Sequence, residues 1–249
     1  YNAYYQMDAW DGTVAPEEEL QQATDTEAKT LKISTAKELA AFAADVNNGN
    51  SYQGYTVTLE NNINLGDEEW TPIGTESHSF KGTFDGKGHT IANLKISGTT
   101  DNTAANNYRG FFGRTDSPAE IKNFTINNAD VSGSLYVAAV VGMPYTGKEI
   151  SNVTVTGDVQ VSAWWYTGVI AGNGYISKVS DCVVDVNEGS SVTATGAYAG
   201  GIFGFRGEGG QVIQTVNLTS MSQPSPMWAV SRVFAITVTP LQDAKQPAT

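Results

Sequence analysis

One cysteine, two histidines and the lack of any long apolar run narrow the field before a pattern is sought. A lone Cys182 excludes an intrachain disulfide framework and a cysteine-built zinc site. His78 and His89 flank a single turn, where a structural hydrogen-bonding role is expected of His89 rather than metal binding or base chemistry. Basic residues are also scarce: 14 Lys and Arg against 26 Asp and Glu leave a net charge of −12, which disfavours a phosphate-backbone partner, so no nucleic acid is expected. Nothing approaches the ~20 consecutive apolar residues of a bilayer span, so no membrane insertion is expected of this chain. Phosphate loops and nucleophile motifs are missing, and neither a metal nor a cofactor is expected. The chain opens on Tyr1 rather than methionine, the start expected of a trimmed chain, from which a signal peptide or lipid-anchor segment could have been removed.

What the sequence does have is repetition. The phrase Ile-x-Asn-apolar-x-apolar occurs at Ile91–Ile96, Ile121–Ile126 and Ile150–Val155, with weaker copies at Val179–Val184 and Ile213–Leu218. Its anchors Asn93, Asn123, Asn152 and Asp181 follow at steps of 30, 29 and 29. An aromatic-x-small-apolar-Gly phrase is interleaved at Tyr108–Gly113, Tyr136–Gly142, Tyr166–Gly172 and Tyr198–Gly204. Short β-branched runs and Gly-rich turns at such a period mean units that bury their faces only against neighbours. Apolar residues one and three places after each anchor share a strand face, whereas the one two places before has the wrong parity for a continuous strand. The chain therefore bends at the Asn, whose amide tolerates left-handed backbone, and Asn93, Asn123 and Asn152 are expected to bond as one ladder. The fold class that follows is all-β, a right-handed parallel β-helix with rungs of roughly 29 residues, the hand assigned from the rule for parallel crossovers.

Residues 1–30 read as a lead-in, with an aromatic start followed by an acidic run. Residues 31–75 read as an N-terminal cap. A short strand Leu31–Ile33 is followed by the capping box Thr35-x-x-Glu38, and Leu39, Phe42, Ala43 and Val46 line one helical face. Such a helix would cover the apolar end of the first rung. Residues 76–249 read as the repeats, with an irregular end that includes a strand over Val233–Thr239 and a tail from Pro240.

The run ISTAKELAAFAADVNNGNSYQGYTVTLENNINL, followed by EEWTPIG and FKGTFDGKGHTIANLKI, resembles the entry module of bacterial surface proteins with GLUG-type repeats. The phrases YRGFFG and YAGGIFG resemble the repeat itself, and the likeness covers roughly residues 31 to 220. It implies a secreted or surface-anchored, adhesin-like protein with a right-handed β-helix. The family has no agreed catalytic residues, so none carries over. Ala138 in place of glycine and Asp181 in place of Asn depart from the pattern.

Parallel β-helices also house polysaccharide lyases and hydrolases, which need carboxylates converging on one outer face. The best-placed acids, Asp130 and Asp158, are expected about 5 Å apart on neighbouring rungs, yet both stand in turn-like contexts. Catalytic residues are therefore assigned to none, and a non-enzymatic binding module is expected. Trp164 and Trp165 are adjacent and, in a strand, would face opposite ways, leaving one at the surface. With Tyr145 and Tyr175 in neighbouring loops they are the candidate ligand-binding residues. Tyr108, Tyr136, Tyr166 and Tyr198 form a column that is either a sugar platform or an internal stack. The partner expected is a glycan or a host or bacterial surface protein, and the location extracellular or cell-surface anchored. A carbohydrate-active enzyme and a structural spacer are the alternatives.

Overall fold

In a computed structural model, residues 7–206, 213–214 and 217–219 are described. Strands Thr30–Ile33, Thr56–Leu59, Thr83–Asp85, Glu120–Gly133, Glu149–Ala163 and Lys178–Ser180 pair in parallel in that order, with Ile213–Gln214 last. Each link is a crossover of one full turn, so the chain winds as a parallel β-helix. Two narrower sheets complete the later turns: Phe112–Thr115, Val141–Pro144, Ala171–Gly174 and Phe203–Arg206 in one, and Val137–Ala138, Thr167–Gly168 and Ala199–Gly200 in the other. The expected strand over Val233–Thr239, the tail from Pro240 and the aromatics Tyr1, Tyr4 and Tyr5 lie outside the described residues.

The parity argument holds at each of the four described anchors, Thr215 of the last copy lying outside the described residues. Asn93, Asn123, Asn152 and Asp181 all have φ between 50° and 62°, bending the chain where two strand faces meet. Phe124 and Ile126, Val153 and Val155, and Cys182 and Val184 are buried in successive rungs, as are Ile121, Ile150 and Val179 ahead of the corner. Burial pushes the Cys182 thiol up to about 11, in keeping with a core residue rather than a reactive one.

The single ladder resolves into two. Leu94 pairs with Ala129 and Ile96 with Val131, so Asn93 stacks with Asn128 and not with Asn123. One column runs Asn64, Asn93, Asn128, Asp158, Asn187: Asn93 Nδ2 donates to Asn64 Oδ1 at 2.9 Å, Asn128 Nδ2 to Asn93 Oδ1 at 2.9 Å, the Asp158 N–H to Asn128 Oδ1 at 2.9 Å, and Asn187 Nδ2 to Asp158 Oδ1 at 2.8 Å. The other runs Asp85, Asn123, Asn152, with Asn123 Nδ2 donating to Asp85 Oδ1 and Asn152 Nδ2 to Asn123 Oδ1, both at 3.0 Å. The cause is the length of one turn. Thr83 pairs with Glu120, 37 residues on, whereas Glu120 pairs with Glu149 after 29. The extra chain is the segment 97–107, which leans on the next rungs: the Gly98 N–H donates to Ser132 Oγ at 3.0 Å and Thr195 Oγ1 to Thr100 O at 3.1 Å.

At the N-terminal end the lead-in is docked from residue 7 onward. Helix α1, Glu17–Ala23, seats Leu20 in the core, and Trp10 meets Trp70 edge-on at 5.8 Å. Helix α2, Ala36–Asn47, begins at the expected capping box: Thr35 Oγ1 accepts from the Glu38 N–H, and Glu38 Oε2 accepts from the Thr35 N–H at 3.1 Å. Its buried face carries Leu39, Phe42, Ala43 and Val46, with Phe42 packed on Tyr52, Phe80 and Phe84. The helix thus covers the aromatic end of the core, as an end cap must.

Outside the corner of Asn123, charges interleave. Glu120 takes Lys122 at 3.2 Å and also Lys148 from the next turn, and Glu149 takes Lys178 at 2.8 Å. Lys148 and Lys122 hold the Glu120 carboxyl below its usual range, and Lys178 does the same for Glu149.

Candidate functional site

The aromatic-Gly phrases build the outer edge opposite the Asn corners. Tyr108, Tyr136 and Tyr198 have φ of 58°, 62° and 64°, so the backbone reverses at each ring. The second glycine of the phrase packs beneath this reversal. A Cβ on Gly142 would lie 2.4 Å from the Tyr136 carbonyl oxygen and 2.9 Å from the Arg109 backbone, and one on Gly172 would lie 2.6 Å from the Val137 nitrogen. Only glycine lets the bend and the neighbouring turn approach this closely.

The reversal sets the tyrosine rings one above another. Centroids are 5.2, 5.4 and 5.2 Å apart along Tyr108, Tyr136, Tyr166 and Tyr198, with interplanar angles of 24°, 0° and 12°. These separations match parallel rungs about 4.8 Å apart with a small sideways offset. The column is neither of the two arrangements foreseen. It lies at the surface, half-buried except for Tyr198 at 47 % exposure, yet its ring faces are spent on one another. A pyranose stacks on an open ring face, so the middle of the column offers only edges.

Two further groups flank the column. Trp164 and Trp165 do not continue the strand that ends at Ala163, and the expectation that they face opposite ways is corrected. They sit in the corner ahead of Tyr166 with both backbone N–H groups donating to the Ser134 carbonyl, the two rings 5.0 Å apart and each half-buried. Trp165 meets Tyr166 at 6.3 Å and Tyr198 at 6.2 Å. On the other side, Tyr145 and Tyr175 are exposed by 38 % and 43 % and meet edge-on at 5.8 Å. Of the four candidate residues, the fold therefore brings together Trp164 with Trp165 and Tyr145 with Tyr175, as two patches joined through the tyrosine column.

The joint is Arg114, which the sequence reading passed over. Its guanidinium carbon lies 4.9 Å from the Tyr145 ring centre and 5.8 Å from that of Tyr108, bridging the two rows as a cation–π contact to each. Glu76 stands near the Tyr108 hydroxyl; burial first and this carboxylate second push the Tyr108 phenol above its ordinary range. The available signal was a basic residue in a base-poor chain, at Gly113-Arg114-Thr115 just after the aromatic phrase.

The carboxylates do not assemble as expected for the enzyme alternative. Asp130 pairs in register with Gln160, while Asp158 sits at an irregularity between Thr156 and Val159 and belongs to the Asn128 corner. They lie on neighbouring rungs, as expected, but in different columns, so the two carboxylates do not stack directly. His89 Nδ1 lies 3.3 Å from Asn62 Oδ1 and His78 Nδ1 2.8 Å from the Asn47 carbonyl, both bracing turns.

The molecule is thus a capped parallel β-helix with an aromatic edge. No protein-family model matches the chain. Over 107 residues it is 35% identical to part of Halomucin from Haloquadratum walsbyi, a match covering 42% of this chain and 1% of that protein. The crystal structure of a candidate immunoglobulin A1 protease from Bacteroides ovatus is similar at a TM-score of 0.54 and 20% identity, covering 77% of this chain and 56% of that one. At that identity the likeness is one of fold. The chain spans about half of the solved protein and a small fraction of Halomucin.

Proposed function

We propose that this chain is a non-enzymatic binding module of a secreted or surface-anchored, adhesin-like protein, whose ligand is a glycan or a glycan-bearing surface protein. The observation that carries this reading is the aromatic edge: exposed Tyr145 and Tyr175 and the half-buried Trp164 and Trp165, held at fixed places on a rigid stack. Exposed aromatic area with a few polar neighbours gives modest affinity, which many copies at a cell surface raise through avidity. The resemblance to GLUG-type surface proteins and the local similarity to Halomucin support the surface location. Catalysis on a polymeric sugar asks for more, namely acid and base groups held together at the scissile bond. The separate columns of Asp130 and Asp158 favour binding over turnover.

The test pairs a glycan and mucin binding screen with incubation on acidic and neutral polysaccharides, following reducing ends and unsaturated products. Binding that falls about tenfold or more in Trp164→Ala, Trp165→Ala or Tyr145→Ala, with no product released, is the expected result. Sustained product release abolished by Asp130→Asn or Asp158→Asn would replace this reading with the enzyme.

A further inference from the structure

The polar atoms beside the tyrosines carry the argument further. Arg114 enters none of the ion pairs among the described residues, all of which use lysine. Its Nε is buried without a hydrogen-bond partner. In the parallel register Arg114 pairs with Met143, and Asn173 follows on the next turn, two residues beyond the pairing of Val141 with Ala171. Asn173 is 7 % exposed, and its Oδ1 is also buried without a partner. Two unpartnered polar groups therefore stand in one column, with Tyr108 and Tyr145 over the first of them. Buried polar groups are nearly always paired, so such a column calls for an explanation.

We infer that the Arg114 column is the subsite for an acidic sugar, a pyranose bearing a carboxylate such as a sialic or uronic acid residue. This rests on the reading of the chain as a glycan binder and names the class of glycan. The guanidinium is a planar fork of N–H donors that matches a carboxylate, and it needs no proton exchange to stay charged. Tyr145 and Tyr175 supply exposed aromatic surface beside it for the sugar ring. A neutral sugar offers the guanidinium no anion of its own, whereas a carboxylate supplies one. The overall charge of −12 repels acidic polymers at long range, so recognition falls to the short-range fork rather than to steering. Glu76, on the same edge, works against an acidic ligand, and this sets a sign that a merely structural role for Arg114 does not share.

The experiment titrates the whole chain with sialyllactose, a uronic acid disaccharide and lactose by calorimetry. One or both acidic sugars should bind at least tenfold more tightly than lactose, and the preference between the two distinguishes the sources. Arg114→Gln should lose about tenfold or more for the acidic sugar and much less for lactose, so that the acidic-to-neutral preference collapses, with Arg114→Lys between. Glu76→Gln, at an exposed position, should gain a few-fold, and its thermal melt should match the parent. Equal binding of acidic and neutral sugars, or an Arg114→Gln variant that keeps its acidic-sugar affinity, would overturn the inference while a tryptophan-dependent lactose signal leaves the binding module standing. Absence of binding to all three sugars, with no hit in the wider glycan screen, would remove both.

Discussion

Asn128 shows how much work a corner residue does in this fold. Its backbone sits at φ 61°, its Nδ2 donates to Asn93, and its Oδ1 accepts from the Asp158 N–H on the far side. Asn128→Ala removes both bonds and puts a Cβ without a compensating amide into the left-handed region. Asn128→Gly removes the bonds but relaxes the backbone. Chemical denaturation should show a loss of about 2–3 kcal/mol for alanine, and about 1 kcal/mol less than that for glycine. Equal losses would mean that the backbone conformation contributes nothing at this corner. Corners were legible as asparagines, because few other residues accept that conformation. Which asparagines stack was not, since Ile91-Ala92-Asn93-Leu94 and Ile121-Lys122-Asn123-Phe124 carry one signature for two different corners.

The strand Glu120–Gly133 carries the ion column on its first segment. Glu120 has its folded pKa lowered, first by Lys148 and also by Lys122. A depressed carboxylate stabilises the fold fully above its unfolded value and loses that contribution as pH falls through the folded value. The melting temperature should therefore decline as pH drops from about 5 towards 3, and Glu120→Gln should flatten part of that decline while lowering the melting temperature slightly at pH 7. Glu149 and Glu60, lowered by Lys178 and Lys87, account for a share that Glu120→Gln leaves in place. A steeper decline in the variant would contradict this assignment. Helix α2 is the element read most completely beforehand, since the capping box and the apolar face are local signals. Helix α1 went unread because its seven residues have only Leu20 as an inward anchor.

At the scale of the molecule, a stack of turns depends on how its ends are closed. The Phe42, Phe80 and Phe84 cluster beneath α2 is buried only while the helix remains in place. Strand Thr30–Ile33 is paired on one side by Thr56–Leu59 and on the other by the short antiparallel strand Thr24–Asp25. Deleting residues 1–50 removes the helix and these edge strands together. The truncated chain should elute as oligomers or aggregate in size-exclusion chromatography, because an open parallel edge above an aromatic core recruits another copy. A monomeric truncation that melts at the parent temperature would show that the cap is dispensable. The rigid stack also gives the aromatic edge its geometry, since each ring's place follows from the rung below it.

The sequence by itself determined the repeating architecture, the inward columns and the capping helix, because each rests on local periodicity and on residues with narrow conformational tolerance. It also singled out Tyr145 and Tyr175 in loops and the adjacent Trp164 and Trp165, which it read as strand residues, since large aromatics at such positions are conspicuous in the sequence. Only the tertiary structure decided which rung lies on which, because the segment 97–107 lengthens one turn without altering the motif that follows. The same step decided that the tyrosine column spends its faces on itself, that the tryptophans share a corner, and that Arg114 joins the two aromatic rows. Contacts of that kind depend on register across neighbouring turns, and register is set by the full winding of the chain rather than by any phrase within it.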